Sequence, residues 1–299
     1  MNALAIPTVE LSSDLRTHID KALACSSGLM GMLDDCGQPR ERRPMVHATF
    51  DDVGTREKDG MSAVVGYVAY RETWHKFNFR WRVTLAQLNM PYLHTSTYLH
   101  GFPLIGGDGM TDDDVHRILL PFTSAIREQL IDDGAFGVSV VTEWDGYEGL
   151  TDKEKKFIRP PDIHSFEMAI SLAYRNMSNA FDVDNCMAIQ MDESHDVPKL
   201  YKSYEVFKSK NPVVRNYLGA ICFCDDKLHA PIQAADLLGN LLLKAWRSYK
   251  LDGSWPKAFR ELAIPDGRPN VVQVVYDYSS LKNLAAKRMA ETDRMAILE

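Results

Sequence analysis

The sequence lacks the cysteine spacings that mark zinc ribbons and disulfide frameworks. Five cysteines occur in 299 residues, and no two of them form a Cys-x-x-Cys pair. This odd, scattered set gives little support to structural zinc or structural disulfides, and it fits a reducing cytoplasm. Cys222 and Cys224 alternate within an apolar stretch, so we interpret them as core thiols on one face of a strand.

Long hydrophobic runs are also missing. No apolar stretch approaches the roughly 20 residues that a membrane-spanning helix needs. The first residues, MNALAIPTVELSSDLRTHID, have no basic start followed by an apolar block, so no secretory signal is predicted. We therefore expect a cytoplasmic protein without a membrane partner, and the sequence gives no indication of its oligomeric state.

The chain has no excess of positive charge. Its formal net charge is −7, which argues against a protein that coats nucleic acid, because such binding depends on Lys and Arg neutralising phosphates. An enzyme with a local basic path and an acidic metal site remains compatible with this charge. Hydrophobic residues make up 45% and charged residues 25%, as in ordinary globular proteins.

The order of predicted elements indicates an α/β fold. Residues 1–44 are predicted to form an N-terminal helical extension and linker, and 45–299 the main domain, with an insertion near 145–165 and a C-terminal strand/helix appendage. The domain starts with three predicted strands and continues with alternating helices and strands. This order predicts a mixed sheet flanked by helices on both faces, and it resembles the ribonuclease H outline. The predicted strands are 45–50, 61–70, 76–83, 135–144, 186–193, 217–224 and 270–278.

The segment 76–83, KFNFRWRV, alternates between polar and aromatic residues. We interpret it as a half-buried strand whose outer face carries Lys76, Arg80 and Arg82. That face is either an ordinary solvated surface or a surface that neutralises the phosphates of a nucleic acid partner.

Acidic residues follow several of the predicted strands. Carboxylates at the ends of adjacent strands converge on one edge of a sheet, where they repel unless a divalent cation lies between them. Oxygen ligands without a Cys/His set favour Mg²⁺ or Mn²⁺, and two such ions serve phosphodiester hydrolysis. The alternative is that these acids simply occupy solvated turns. The candidates are Asp51, Asp52, Glu143 and Asp192, together with Asp236 in the first turns of a late helix.

The late helix, APIQAADLLGNLLLKAW, is apolar apart from one stripe. On a helical wheel Gln233, Asp236 and Asn240 share that stripe, which faces either water or a polar cleft. His94 is a candidate proton relay beside a metal-activated water, or else a hydrogen-bonded loop histidine.

Four stretches resemble the DUF3800 family, ribonuclease H-like proteins of poorly defined function. They are VHATFDDVG, YLHTSTY, MAIQMDES and FCDDKLHAPIQAADLLGNLLLKAW, and they span about residues 45 to 247. The last is the most specific, because its Gln, Ala-Asp-Leu-Leu and Gly positions all agree with the family pattern. The resemblance implies an acidic, metal-binding centre formed by Asp51, Asp192 and Asp236, with His94 nearby.

The sequence departs from the family at three positions. Asp52 stands where the family has Glu, Val53 stands where it has Ser, and the Lys before the Leu-His motif has no counterpart.

From the acidic pattern and the resemblance together, we expect a Mg²⁺- or Mn²⁺-dependent phosphodiesterase that acts on DNA or RNA, with Glu143 or Asp52 as a fourth carboxylate. The alternatives are an inactive ribonuclease H-like interaction module and a metal phosphohydrolase for small substrates.

Overall fold

The computed structural model describes residues 46–100, 111–181, 186–193 and 196–298. In this part of the chain six strands form one sheet in the order β5-β4-β1-β2-β3-β6. Their bounds are β1 Val46–Val53, β2 Met61–Tyr70, β3 Phe136–Glu143, β4 Met187–Asp192, β5 Leu218–Cys224 and β6 Val271–Tyr276. The predicted N-terminal extension, 1–44, lies outside the described residues.

The sheet is mixed. β2 runs antiparallel to its neighbours β1 and β3, whereas β1–β4, β4–β5 and β3–β6 are parallel pairs. Five of the six described strands therefore run in the same direction. Because parallel strands end at the same edge, the residues that follow β1, β3, β4 and β5 are brought to one side of the sheet.

Twelve α-helices surround this sheet in the described residues. In chain order they are α1 Arg56–Asp59, α2 Arg71–Gln87, α3 Thr95–His100, α4 Asp112–Ile126, α5 Trp144–Glu148, α6 Asp152–Lys155, α7 Pro161–Ala180, α8 Val197–Lys210, α9 Pro212–Arg215, α10 Ala230–Asp252, α11 Lys257–Ala263 and α12 Tyr278–Leu298. A π-helical turn, Arg127–Ile131, extends α4.

The helices cover both faces of the sheet, and each face has its own core. One core joins the odd-numbered side chains of β2 to α2, α4, α10 and α11. The other joins even-numbered side chains of β1, β2 and β3, and odd-numbered ones of β4, to α7 and α8. The alternation of buried side chains along the strands produces this three-layer arrangement, and the prediction of a mixed sheet with helices on both faces is confirmed.

The prediction of a strand at 76–83 is wrong, because these residues lie inside the helix α2. Trp74, Phe77 and Trp81 are fully buried along one side of it, at spacings of three and four residues. Phe79, which the strand pattern placed in the core, is 72% exposed. Within these eight residues Phe77, Phe79 and Trp81 alternate as they would in a strand, although only Phe77 and Trp81 lie on the buried side of the helix.

The C-terminal strand is an integral part of the sheet, since β6 pairs with β3 from Gly137 to Thr142. A third, smaller cluster joins Leu150 and Ile158 to Leu281 and Ala285 of α12. Residues near 145–165 therefore contain two short helices and a connection packed against α12. In the described part of the chain, no helix is both long enough and apolar enough to cross a membrane.

Candidate functional site

The ends of β1 and β4 bring two aspartates side by side. Phe50 pairs with Met191 in parallel register, and both belong to the core beneath α7 and α8. The next residues, Asp51 and Asp192, therefore leave adjacent strands on the opposite face, toward α10. β1 continues through Asp52 to Val53, and alternation places Asp52 on the face opposite to Asp51.

Helix α10 brings a third aspartate to the same place. Its Gly239 lies so close to β1 and β2 that an added Cβ would be 2.4 Å from Cγ1 of Val53 and 3.1 Å from Cγ2 of Val65. Asp236 lies one turn before Gly239, and this close approach sets it beside the end of β1. The predicted polar stripe therefore faces a cleft at this level, where Gln233 and Asp236 are buried.

Both carboxylate oxygens of Asp236 accept hydrogen bonds. Oδ2 accepts one from the backbone N–H of Thr95 at 2.8 Å, and Oδ1 accepts one from Nδ2 of Asn240 at 2.9 Å. The first bond ties α10 to the segment that carries His94, and the second lies within the polar stripe. Asp236 is thus held in one orientation by donors on two different segments.

Gln233 holds three separate segments around the site. Its Oε1 accepts from Nε1 of Trp81 at 2.8 Å and from the backbone N–H of Leu93 at 3.1 Å. Its Nε2 donates to the backbone oxygen of Asp226 at 2.7 Å. One buried side chain therefore fixes the residue before His94 and the loop after β5.

These elements enclose a cavity of about 180 Å³. The residues that line it are Asp51, Asp52, Val53, His94, Asp192, Asp226, Ile232 and Asp236. Five of the eight are carboxylates, and Asp51 and Asp236 are buried at its base. Asp52 is exposed and reaches the cavity at its rim.

Burial and mutual repulsion make the ionised form of these carboxyls costly. The pKa of Asp51 is raised well above its ordinary value, chiefly by burial and then by the charges of Asp236, Asp52 and Asp192. Burial, followed by the charges of Asp226 and Asp52, raises the pKa of Asp192 to about 7. The cavity therefore favours either protons or a cation among these oxygens.

Asp226 at the margin follows the same pattern. Burial, together with the neighbouring carboxyl of Asp225, raises its pKa. Perturbed carboxyls gathered in one cleft are typical of functional sites.

His94 lies at the mouth of the cavity. Its Nδ1 is 3.7 Å from Oδ1 of Asp236 and 4.0 Å from Oδ2 of Asp226, and nearly half of its side chain is exposed. The nearby carboxylate of Asp236 is the main cause that raises its pKa. The imidazolium form therefore persists to higher pH than in a free histidine, and this ring can hold a proton at the cavity entrance.

Asp226 is a cavity residue that the sequence reasoning did not single out. It follows β5, whose end lies at the same edge as the ends of β1 and β4. The rule that selected Asp51 and Asp192, an acid at the end of a strand, applies to the pair Asp225 and Asp226 as well. The quoted stretch FCDDKLH contained this signal.

Glu143 is not among the residues that line the cavity. It ends β3, which is separated from β1 by β2, and its Oε1 is 3.3 Å from Nζ of Lys250. Among the carboxylates predicted to complete the site, the structure thus brings in Asp52 and leaves Glu143 outside.

The predicted basic face of Lys76, Arg80 and Arg82 does not exist as a strand face, because all three lie on α2. Lys76 pairs with Asp133 at 2.8 Å and Arg80 with Glu128 at 3.3 Å. Arg82 is buried and its Nη2 donates to the backbone oxygen of Leu228. Nucleic-acid binding by these residues remains a prediction whose structural premise, an alternating strand, was wrong.

As the side chains stand, no group of three or more His, Cys, Asp or Glu residues in the described ranges is arranged to hold a metal ion. The cavity nevertheless contains only oxygen donors and one imidazole, which is the ligand chemistry of Mg²⁺ and Mn²⁺. No protein-family model matches this chain, and no curated protein sequence matches it significantly.

Proposed function

We propose that this protein is a divalent-metal-dependent phosphodiesterase whose active site is the acidic cavity at the ends of β1 and β4. The observation that carries the proposal is the gathering of five aspartates, some of them buried, in one small cavity. Carboxylates in such a place need a compensating charge. Mg²⁺ or Mn²⁺ would supply it, and when bound would activate water and stabilise the leaving oxygen.

The proposed fold is ribonuclease H-like with an added sixth strand. The support is the strand order β5-β4-β1-β2-β3, in which β2 alone among these described strands is antiparallel. The acids also lie where parallel strands end, the edge at which open α/β sheets bind ligands.

Each residue of the site has a distinct part in this proposal. Asp51, Asp192 and Asp236 would hold the metal, with Asp226 and Asp52 at the rim. Asn240 and the Thr95 N–H orient Asp236 by their hydrogen bonds. His94, whose proton is retained by Asp236, would donate it to the oxygen that leaves.

The cavity is large enough for the reacting group of the proposed substrate. Its volume of about 180 Å³ is well above the roughly 10–15 Å³ that a single water needs, and it leaves room for a phosphate group. The carboxylates that line it would then lie beside the phosphorus–oxygen bond that is to be cleaved.

Calorimetric titration of Mn²⁺ into the wild-type protein and Asp236→Asn tests the metal site. We expect the wild type to release or absorb heat on binding and Asp236→Asn to lose most of that signal. Asp145→Asn, which changes an exposed carboxylate outside the cavity, is the matched control and should bind as the wild type does. Equal heats for the wild type and a folded Asp236→Asn would overturn the metal proposal.

A labelled oligonucleotide and a nucleoside monophosphate, each incubated with Mn²⁺, test the reaction. Cleavage of the oligonucleotide alone supports a phosphodiesterase, and hydrolysis of the monophosphate alone supports a small-substrate phosphohydrolase. The absence of metal binding together with the absence of both reactions would support an inactive interaction module. The observation that favours this module is that the described side chains do not enclose an ion as they stand.

A further inference from the structure

Two cysteines lie in contact beside the acidic cavity. Sγ of Cys222 is 3.8 Å from Sγ of Cys224 on β5. The pairing of β5 with β4 shifts register between Met187 and Ile189, and beyond that shift Ile221 and Phe223 pack into the core beneath α7 and α8. Cys222 and Cys224 therefore point to the other face, the one that carries Asp51 and Asp192.

The thiol pair is connected to the cavity by the backbone. Cys224 pairs with Asp192 across the β4–β5 ladder, and its carbonyl oxygen accepts from the N–H of Glu193 at 3.0 Å. Two residues later the chain reaches Asp226, whose backbone oxygen is held by Gln233. A change in the last residues of β5 therefore acts on two of the five carboxylates.

One of the two thiols is partly accessible, and the strand can deform. Cys222 is partly exposed, whereas Cys224 is buried. In the described part of the chain β5 is an edge strand, hydrogen-bonded to β4 alone. An edge strand with a neighbour on one side can shift at lower cost than a central strand.

We propose that Cys222 and Cys224 form a reversible disulfide that displaces the Asp192 and Asp226 side of the cavity. The expected oxidant is a peroxide. The partly exposed thiol of Cys222 attacks one peroxide oxygen, the O–O bond breaks, and a sulfenic acid and one water form. The thiol of Cys224 then attacks this sulfur, the S–S bond forms and a second water leaves. Two sulfur atoms lose two electrons, which the peroxide gains.

The geometry predicts that the bond is strained. Residues two apart in a strand have Cα atoms about 6.6 Å apart, near the upper limit of about 6.8 Å for disulfides. Their nearly parallel Cβ atoms have a similar separation, which exceeds the roughly 4.5 Å that a disulfide allows, so the backbone must move before the bond closes. Closing the bond therefore shortens the end of β5 and pulls Cys224 O away from the Glu193 N–H. Strained disulfides are also readily reduced, so a small thiol such as dithiothreitol should restore the pair.

The experiment uses a full-length variant with Cys25, Cys36 and Cys186 changed to Ser, which keeps only the pair. One equivalent of hydrogen peroxide should remove both titratable thiols and two hydrogen atoms of mass, and dithiothreitol should reverse both changes. Adding Cys222→Ser should abolish the disulfide. Oxygen atoms added to the thiols, or a disulfide between two chains, would overturn the proposal.

Hydrogen exchange measures the effect on the cavity. Oxidation should speed exchange severalfold at the amide of Glu193 and in residues 225–233, with no change in α7. A disulfide that forms without this change would refute the coupling to the cavity. The proposed disulfide rests on the proposed function only for the role of the cavity. Neither the mass measurement nor the hydrogen-exchange measurement includes metal. A failure to bind metal would therefore leave both results interpretable.

Discussion

The acidic cavity should make the stability of the protein fall as pH rises. Asp192 has an ordinary pKa of 3.8, which the fold raises to about 7. Between these two values the folded protein keeps a proton that the unfolded chain has released. The contribution of Asp192 to the free energy of unfolding therefore decreases from about pH 4 to pH 7 and stays low above it.

The magnitude follows from the size of this shift. A change of about three pKa units corresponds to roughly 4 kcal/mol, since one unit is 1.36 kcal/mol. Asp192 is partly exposed, and solvent screening should reduce the effect to about 2 kcal/mol. Asp192→Asn removes the charge at nearly constant shape, so it should stabilise the protein by this amount at pH 8 and by almost nothing at pH 4.

Urea unfolding at several pH values in the presence of a metal chelator checks this prediction. Asp145→Asn, an exposed carboxylate outside the cavity, serves as the control and should change little at any pH. The reasoning is refuted if Asp192→Asn and the wild type have parallel stability curves between pH 4 and pH 8.

Three further predictions concern packing and buried polar groups. Gly239→Ala should lower the free energy of unfolding by about 1–3 kcal/mol in urea unfolding, although Ala favours helices, because its Cβ meets Val53; an unchanged or raised stability would contradict the close approach of α10. Gln233→Leu should cost about 3 kcal/mol in the same assay, because it leaves two buried N–H donors without an acceptor; a cost below about 1 kcal/mol would argue against its bracing role. His164 is fully buried with no hydrogen bond to its ring nitrogens in the described residues, and its pKa is lowered to about 4, first by burial. Below pH 6.5 the unfolded chain gains a proton that the fold excludes, so this histidine should lower stability by about 3 kcal/mol toward pH 4 and oppose the contribution of Asp192 over the same range; in thermal melts the Tm of His164→Leu relative to the wild type should therefore rise as the pH falls from 7 to 4.

The strands of the sheet could be predicted from the sequence because most of them are short apolar runs without the three- and four-residue spacing of a helix. β2 and β4 are buried along nearly their whole length, and such runs are recognisable in isolation. The error at 76–83 arose from too short a window. The wider set Trp74, Phe77, Trp81 and Leu85 is buried at helical spacing, and it includes residues outside the segment that was read as a strand.

The candidate site was predicted in part, and the limit is physical. Asp51, Asp192 and Asp236, which share the cavity, could be predicted because the ends of strands and the start of a helix are local features of the sequence. Glu143 satisfied the same local rule, yet β2 lies between β3 and β1. The order of strands within a sheet depends on contacts between distant segments, and the sequence pattern did not contain it.

Gln233 also determines when the site can exist during folding. Its partners Trp81 and Leu93 are 152 and 140 residues away in the chain. Contacts of this kind are closed late, because a long loop must be ordered before they contribute. Until α10 docks, Asp236 is separated from Asp51 and Asp192, and Gln233 does not yet connect its three segments. The site is therefore incomplete in partly folded states in which α10 is not docked, and a nascent chain cannot complete it before α10 has been synthesised.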